Sequence, residues 1–416
     1  MIRRVVIRHF RNINEAVLTE LGRVNVFVGA NGAGKTALLE ALFTLAHGKS
    51  FRRFGGQKES LVQFTKQELT VVADIDDIES TGFGSGLSSV EAASVYRVGL
   101  SKSRIGETKA KVRGDRVKRI SDLALRLPVV AINSDTFDIL FGGSHDRRAF
   151  LDWLVFHVEH DFFKVSRSYL RALDQRNAAL RVGRHPRALS RLAPREALAN
   201  EVGGLLPIGD TSWIDQLAVL GERVNELRLG VFAALAASFN EVCLALGLGD
   251  QGLELRYKRG WLMGESLAVA LTAAADVDSR RGFTGLGPHR ADIQVISIVG
   301  GEVKLARDVL SRGQLKQVLV ALKLAQMVVY REMAGTRTTN GDGGRSVSPV
   351  LLLDDVAAEL DEERLSLLGS VLSELSAQVF LSATQLPLVA PLLEAMSLSA
   401  DSGQVRVFHV EQGLVS

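Results

Sequence analysis

Eight consecutive residues, Gly29-Ala30-Asn31-Gly32-Ala33-Gly34-Lys35-Thr36, constrain this chain more than anything else in it. Glycines at the first and sixth places, followed by Lys and Thr, form a P-loop pattern. Each residue type has a physical task there. The glycines let successive backbone N–H groups turn inward and make a nest for phosphate. Lys35 supplies a positive charge for the β- and γ-phosphates of a nucleotide, and the Thr36 hydroxyl is a ligand for Mg²⁺. The flanks agree with this reading. Residues 24–29 are a β-branched run that reads as a strand, and residues 35–42 read as a helix ended by Gly48. The N-terminus of that helix adds favourable partial charge for an anion. A strand, a glycine turn and a helix in this order predict an α/β fold with a parallel sheet.

A second strand carries acids. Val350-Leu351-Leu352-Leu353 is wholly apolar, as in a strand buried on both faces of a parallel sheet, and it runs into Asp354-Asp355. Such a strand end lies at the carboxyl edge of the sheet, where α/β proteins bind ligands. Asp354 is assigned to Mg²⁺, directly or through water, and Asp355 to the water that attacks phosphate. Another buried strand is predicted over residues 378–382. Ser311 stands directly before a helix predicted over residues 315–333, the place of an N-cap.

The remaining chain sets the frame for these elements. Its 416 residues are 46% hydrophobic and 23% charged, ordinary for a globular protein and long enough for two or three domains. Cys243 is the single cysteine, which excludes an internal disulfide and a Cys-based zinc site and points to a reducing, cytoplasmic setting. The first eight residues lack the apolar segment of a signal peptide. No uninterrupted apolar run reaches the roughly 18 residues of a membrane span, so no membrane partner is expected. Strands are predicted over residues 3–8 and 69–75, and a loop over 80–89. From residue 146 to 248 apolar residues recur at helical spacing, as in Phe150, Leu151, Leu154, Val155 and Val158, and again over 213–246. Loops are expected at 205–211, 247–252 and 335–348. No heptads are sustained, which argues against a long coiled coil. His289 has no second histidine at ligand spacing, so a histidine metal site is not expected. Trp153, Trp213 and Trp261 read as core.

The net charge of +3 identifies no partner, but its distribution is uneven. Lys164, Arg167, Arg171, Arg176, Arg181, Arg184, Arg187, Arg191 and Arg195 are opposed among themselves only by Asp174. A second stretch holds Arg97, Lys102, Arg104, Lys109, Lys111, Arg113, Arg116, Lys118 and Arg119. Both stretches admit two readings, solvated surface or a surface for a polyanion such as DNA. With only 6% aromatics, base stacking is a poor basis for that binding, and sequence-tolerant contacts to the phosphate backbone fit better.

Ser311-Arg312-Gly313-Gln314 resembles the signature motif of ABC-type ATPases, with Arg312 where Gly is usual. The order P-loop, signature, acidic strand end is also that of the ABC class. A helical insertion between the first two resembles the SMC/Rad50-like branch. A narrower resemblance follows. Gly142-Gly143 and then Arg147-Arg148-Ala149-Phe150-Leu151-Asp152 resemble a block of the RecF family, with Ser144 in place of Pro; Ser134 replaces another Pro, before Asp135. Gly287-Pro288-His289-Arg290 resembles a second block, with Ala291 where an acid is common. Residues 358–364 resemble a third, in the place of the ABC D-loop.

The resemblance covers nearly the whole chain and implies the following. The fold is an ABC-type ATPase head, its ATPase lobe built from residues 1–135 and 281–416 and its helical lobe from 136–280. Two chains sandwich two ATP molecules, with Mg²⁺ held by Thr36 and Asp354. Ser311, Gly313 and Gln314 of one chain close over the phosphates bound by residues 29–36 of the other. Lys35 and Asp355 are the catalytic residues. Arg8, Arg11 and Asn12 resemble nucleotide contacts; their other reading is a polar turn after the first strand. Ser382 or Thr384 stands where a switch histidine is usual, and the Q-loop place near Asn133 has no Gln. Slow, DNA-stimulated hydrolysis serves as a release switch for a homodimer that clamps DNA at gaps or single-/double-strand junctions. RecR and, through it, RecO are implied partners, acting to load RecA on strands coated by SSB. Two alternatives are an SMC-like chromosome ATPase, which needs a long heptad arm, and a transporter nucleotide-binding subunit, which lacks the block at 147–152.

Overall fold

The computed structural model describes residues 1–52, 60–76, 95–133, 138–184, 210–338, 347–398 and 403–416. The loop expected at 80–89, residues Ser134 and Asp135, and Arg187, Arg191 and Arg195 lie outside these. Contacts divide the chain into two units. One gathers Met1–Phe137, Ser238–Leu253 and Ala306–Ser416; the other gathers Asp138–Ala237 and Glu254–Leu305.

The first unit opens with β1 (Ile2–Phe10), which turns at Arg11 into β2 (Ile13–Leu18). Then β3 (Val24–Val28) leaves for a second sheet. The chain returns as β4 (Glu68–Asp76), β5 (Val95–Ser103), β6 (Thr108–Val112) and β7 (Asp115–Val117). These strands form an antiparallel sheet in the order β2-β1-β4-β5-β6-β7. The period-two alternation of a half-buried sheet is visible in β4, where Leu69, Val71, Ala73 and Ile75 are buried and the residues between them are not. The chain then enters β8 (Val129–Ile132), which joins the sheet of β3.

The second unit is mainly helical. Helices Ser144–Val158 and Phe162–Arg184 lead to the long helix Asp210–Ala245, whose last turns, from Ser238, belong to the first unit. Its segment Trp213–Ala245 is long and apolar enough to cross a membrane, with a mean hydropathy of 1.5 in its most apolar stretch. Its buried residues nonetheless recur at helical spacing, among them Leu217, Val224, Val231 and Leu235, and the polar Asn225 and Arg228 are buried with them. That is the pattern of a helix packed in a protein core. After it come β9 (Leu253–Lys258), β10 (Asp292–Val299) and β11 (Glu302–Leu305), a small sheet in the order β11-β10-β9. The second unit therefore runs on to Leu305, beyond the boundary expected at 281, because β10 and β11 pair with β9.

Residues 306–416 return to the first unit. The helix expected over 315–333 spans Arg312–Thr338, so its backbone continues through Gly335, where a loop was expected. One glycine costs a helix only about 1 kcal/mol relative to Ala, too little to end so long an element. Then β12 (Val350–Leu353), β13 (Gln378–Ala383), β14 (Val405–Glu411) and β15 (Leu414–Val415) complete the second sheet, in the order β15-β14-β3-β13-β12-β8. Its strands run parallel except for the β14–β15 hairpin. Every residue of β3, β12 and β13 is buried, which explains the unbroken apolar sequence of β12 and the mainly apolar ones of β3 and β13, where Asn25, Gln378 and Ser382 are the buried polar exceptions. Helix Lys35–His47 contributes Leu38, Leu42 and Leu45 to a core shared with Ile7 and Val71 of the antiparallel sheet and Leu352 and Phe380 of the parallel one. Burial between two sheets fixes the helix, and with it the turn that precedes it.

Candidate functional site

The turn between β3 and helix Lys35–His47 has the backbone its glycines permit. Gly32 and Gly34 have φ of 81° and 116°, a region in which a side chain is strained. Gly29 is required for space instead: a Cβ there would lie 2.2 Å from the Val410 carbonyl oxygen. The β14–β15 turn braces the loop, since the Gly413 N–H donates to the Ala33 carbonyl at 2.7 Å. Asn12 approaches from the β1–β2 turn, its Nδ2 lying 3.5 Å from the same carbonyl.

Lys35 is buried and folded back over the loop. Its ammonium donates to the carbonyls of Gly29 at 2.7 Å and Ala30 at 2.9 Å. Thr36 donates through Oγ1 to Asp354 Oδ1 at 2.9 Å, and Ser382 donates to the same oxygen at 2.8 Å. The Asp355 N–H donates in turn to Ser382 Oγ at 2.8 Å. Residues 318 and 28 positions from Asp354 thus converge on one carboxylate oxygen. Burial raises the Asp354 pKa above the usual carboxylate range, against the opposing hydrogen bonds from Ser382 and Thr36. Asp355 is exposed and has φ of 55°, a left-handed conformation uncommon outside glycine. It turns the chain from β12 toward the short helix Val356–Glu359. Asp355, Ser382, Lys35 and Thr36 line an open cavity of about 630 Å³, together with Arg11, Asn12, Asn31, Gly32, Gly34, Ala37 and Arg52.

Sequence reasoning did not single out Arg52 or Glu40. Glu40 is fully buried on the helix after the loop, and Arg11 grips it through two bonds, Nε at 3.1 Å and Nη2 at 2.9 Å. Burial of a glutamate among Ala37, Leu38 and Ala41 is the signal that a charged partner had to exist. Arg8 is not among the cavity-lining residues; it pairs with Glu15 on the exposed face of the β1–β2 hairpin at 2.8 Å.

Ser311, Gly313 and Gln314 are not among the lining residues of this cavity. Ser311 and Gln314 form a reciprocal cap at the start of helix Arg312–Thr338. The Ser311 N–H donates to Gln314 Oε1 at 2.9 Å, and the Gln314 N–H donates to Ser311 Oγ at 3.3 Å. Arg312 and Gly313 are exposed. Asn133 lines a smaller pocket under the acids with Asp354, Lys316 and Glu359, the last two 3.8 Å apart.

The motif at 147–152 lies in the second unit and makes ion pairs there. Arg147 pairs with Asp292 at 2.6 Å and donates to the Gly142 carbonyl. Arg148 donates to Ser144 Oγ and to the Ala291 carbonyl. Asp152 takes two bonds from the buried Arg228, which also donates to the Pro288 carbonyl. Ser144 is the first residue of its helix, a position that also suits proline. His289 is held at both ring nitrogens, by the Tyr169 hydroxyl at 2.7 Å and the Thr284 carbonyl at 3.0 Å. Trp261 is buried and Trp153 and Trp213 half-buried. One member of the basic run is not surface at all. Arg176 is fully buried and bonds Asp278 and Thr284, because a guanidinium inside a helical core needs a carboxylate. Arg97 is committed to Asp74, whereas Lys164, Arg167, Arg171 and Arg181 are exposed.

Known proteins carry the same whole-chain pattern. The sequence profile of the RecF/RecN/SMC N-terminal domain matches residues 1–413. The DNA replication and repair protein RecF of Pectobacterium atrosepticum is 35% identical over 413 residues, covering 99% of this chain and 98% of that one. This chain belongs to the RecF family. The RecF of Pseudoalteromonas translucida is 31% identical over 408 residues, 98% of this chain and 97% of its own. Among solved structures, the recombination mediator RecF in its ATP form superposes with a TM-score of 0.74 at 23% identity, covering 100% of this chain and 96% of that one. The Smc head domain of Pyrococcus furiosus does so at 0.50 and 16%, over 100% and 95%. The RecF fold is therefore an ABC-type head of the SMC kind, as the motif order predicted.

Proposed function

We propose that this RecF-family chain is an ATP-gated DNA clamp of recombinational repair and replication restart. The observation that carries the reading is the convergence of Lys35, Thr36, Asp355 and Ser382 on one cavity, with Asp354 hydrogen-bonded to two of them. The loop N–H groups cradle the phosphates of ATP, and Lys35 exchanges its two carbonyl partners for phosphate oxygens. Thr36 and Asp354 present adjacent hard oxygen ligands, which suit Mg²⁺ and the charge neutralisation it supplies when bound. Asp355 accepts a proton from water as the water oxygen bonds the γ-phosphorus and the bond to the β–γ bridging oxygen breaks, leaving ADP and phosphate. The cap at Ser311, Gly313 and Gln314 faces a second copy, where the positive end of its helix meets the γ-phosphate. Hydrolysis is slow, stimulated by DNA, and releases the dimer.

Lys164, Arg167 and Arg171 recur at helical spacing on helix Phe162–Arg184 and supply phosphate contacts that tolerate any sequence. The RecFOR setting of the solved RecF-ATP structure supports RecR and, through it, RecO as partners. With them the cytoplasmic dimer acts at gaps and single-/double-strand junctions and promotes RecA loading on SSB-coated strands. The test is Lys35→Ala, measured by ATP titration and by sedimentation with ATP and gapped DNA. Loss of ATP binding and of the ATP-dependent dimer is expected; wild-type ATP affinity refutes the site.

A further inference from the structure

We infer that Glu40 is a positioning residue that aims two arginines at the phosphates, and this rests on the nucleotide reading above. Its carboxylate is fully buried, on the helix that follows the P-loop. Arg11 meets it from the β1–β2 turn as a bidentate pair, in a backbone conformation with φ of 54°. Ser50 donates its hydroxyl to Oε1. Arg52 approaches Oε2 at 4.0 Å, and its N–H donates to Ser50 Oγ at 2.8 Å. Both arginines line the cavity that holds Lys35, Thr36 and Asp355.

The arrangement joins two segments that lie on either side of the P-loop in sequence and gives one acid to two cations. A carboxylate enclosed among apolar residues is unfavourable unless paired, and a well-packed apolar side chain there would serve helix packing as well. What an apolar residue could not do is hold guanidinium groups at a fixed place on the cavity wall. The two arginines against one glutamate also leave a net positive charge beside the site, the sign a triphosphate requires.

The sign of one measurement separates this role from plain electrostatics. Removing a negative charge near bound phosphate should tighten ATP binding if Glu40 acts only through its field. If it positions Arg11 and Arg52, the same change should weaken binding. Glu40→Gln keeps the shape and removes the charge. We expect it to bind ATP at least ~10-fold more weakly, about 1.4 kcal/mol, with a smaller loss for AMP, which offers fewer phosphates. Arg52→Ala should then weaken ATP binding in the wild type but add little in the Glu40→Gln background. Equal or tighter ATP binding by Glu40→Gln, or equal losses for ATP and AMP, overturns the inference. Arg52 is partly exposed, so Arg52→Ala decides alone if Glu40→Gln does not fold: unchanged ATP affinity in that variant also overturns it. Lys35→Ala is the control. Retained ATP binding there sinks the nucleotide site itself, whereas lost binding there with retained binding in Glu40→Gln sinks only the role of Glu40.

Discussion

Asp152→Ala tests whether the family motif at 147–152 serves architecture or chemistry. The Arg228 side chain is 6% exposed, and Asp152 supplies two of its hydrogen bonds, at 2.7 and 2.9 Å. Deleting the carboxylate leaves a buried guanidinium with the Pro288 carbonyl at 2.7 Å and with Arg148 as a repelling neighbour. Breaking a buried pair in this way costs about 3–5 kcal/mol. Asp152 is itself 30% exposed, so water can enter on its side, and the lower end of about 3 kcal/mol is expected. All three tryptophans, Trp153, Trp213 and Trp261, fall in the second unit, so denaturation followed by tryptophan fluorescence reports that unit alone. The transition should move to lower denaturant, while ATP titration of the folded variant stays as in wild type. Asp152→Leu combined with Arg228→Met should regain most of the loss, because an apolar pair of similar volume removes the stranded charge. An unmoved tryptophan transition, or lost ATP binding in a fully folded Asp152→Ala protein, refutes the architectural role.

Two further outcomes follow from geometry. Ser311→Ala should cost about 1 kcal/mol by loss of the cap; it should also abolish ATP-dependent dimerisation while monomer ATP binding survives, and sedimentation that shows normal dimers leaves Ser311 as a cap only. His289 is buried, which lowers its pKa from 6.5 to about 4. Its neutral form is the folded one, so this contribution is complete above pH 6.5 and declines as pH falls toward 4, by about 3 kcal/mol in all. His289→Gln should flatten that part of the stability–pH curve, and an identical slope in variant and wild type removes His289 as its cause.

The P-loop sequence and the paired acids that the fold brings together at the candidate site were legible in sequence because their signals are local. Eight contiguous residues specify the loop, and four apolar residues before two acids specify a buried strand end. The partners of the 147–152 motif were not legible, since Arg147 and Asp292 are 145 positions apart and Asp152 and Arg228 are 76 apart. No periodicity links residues across such distances. Arg176 shows the same limit. In sequence it extends a basic run, yet in the fold it is a fully buried charge in a helical core, answered by Asp278 102 positions later. Glu40 reads as one more polar place on a helix until both sheets close over it.

The strand β3 also fixes when the site can exist. Along the chain the P-loop follows β3 directly. Yet both neighbours of β3 in the sheet, β13 and β14, are made only after residue 377, and the turn that braces Ala33 is made later still, at Gly413. While the second unit is made, the native lateral partners of β3 do not yet exist, and open strand edges are where wrong pairing starts. The P-loop is thus made long before the strands and the turn that brace it. A chain stopped short of β14 carries the P-loop sequence without the walls that shape it.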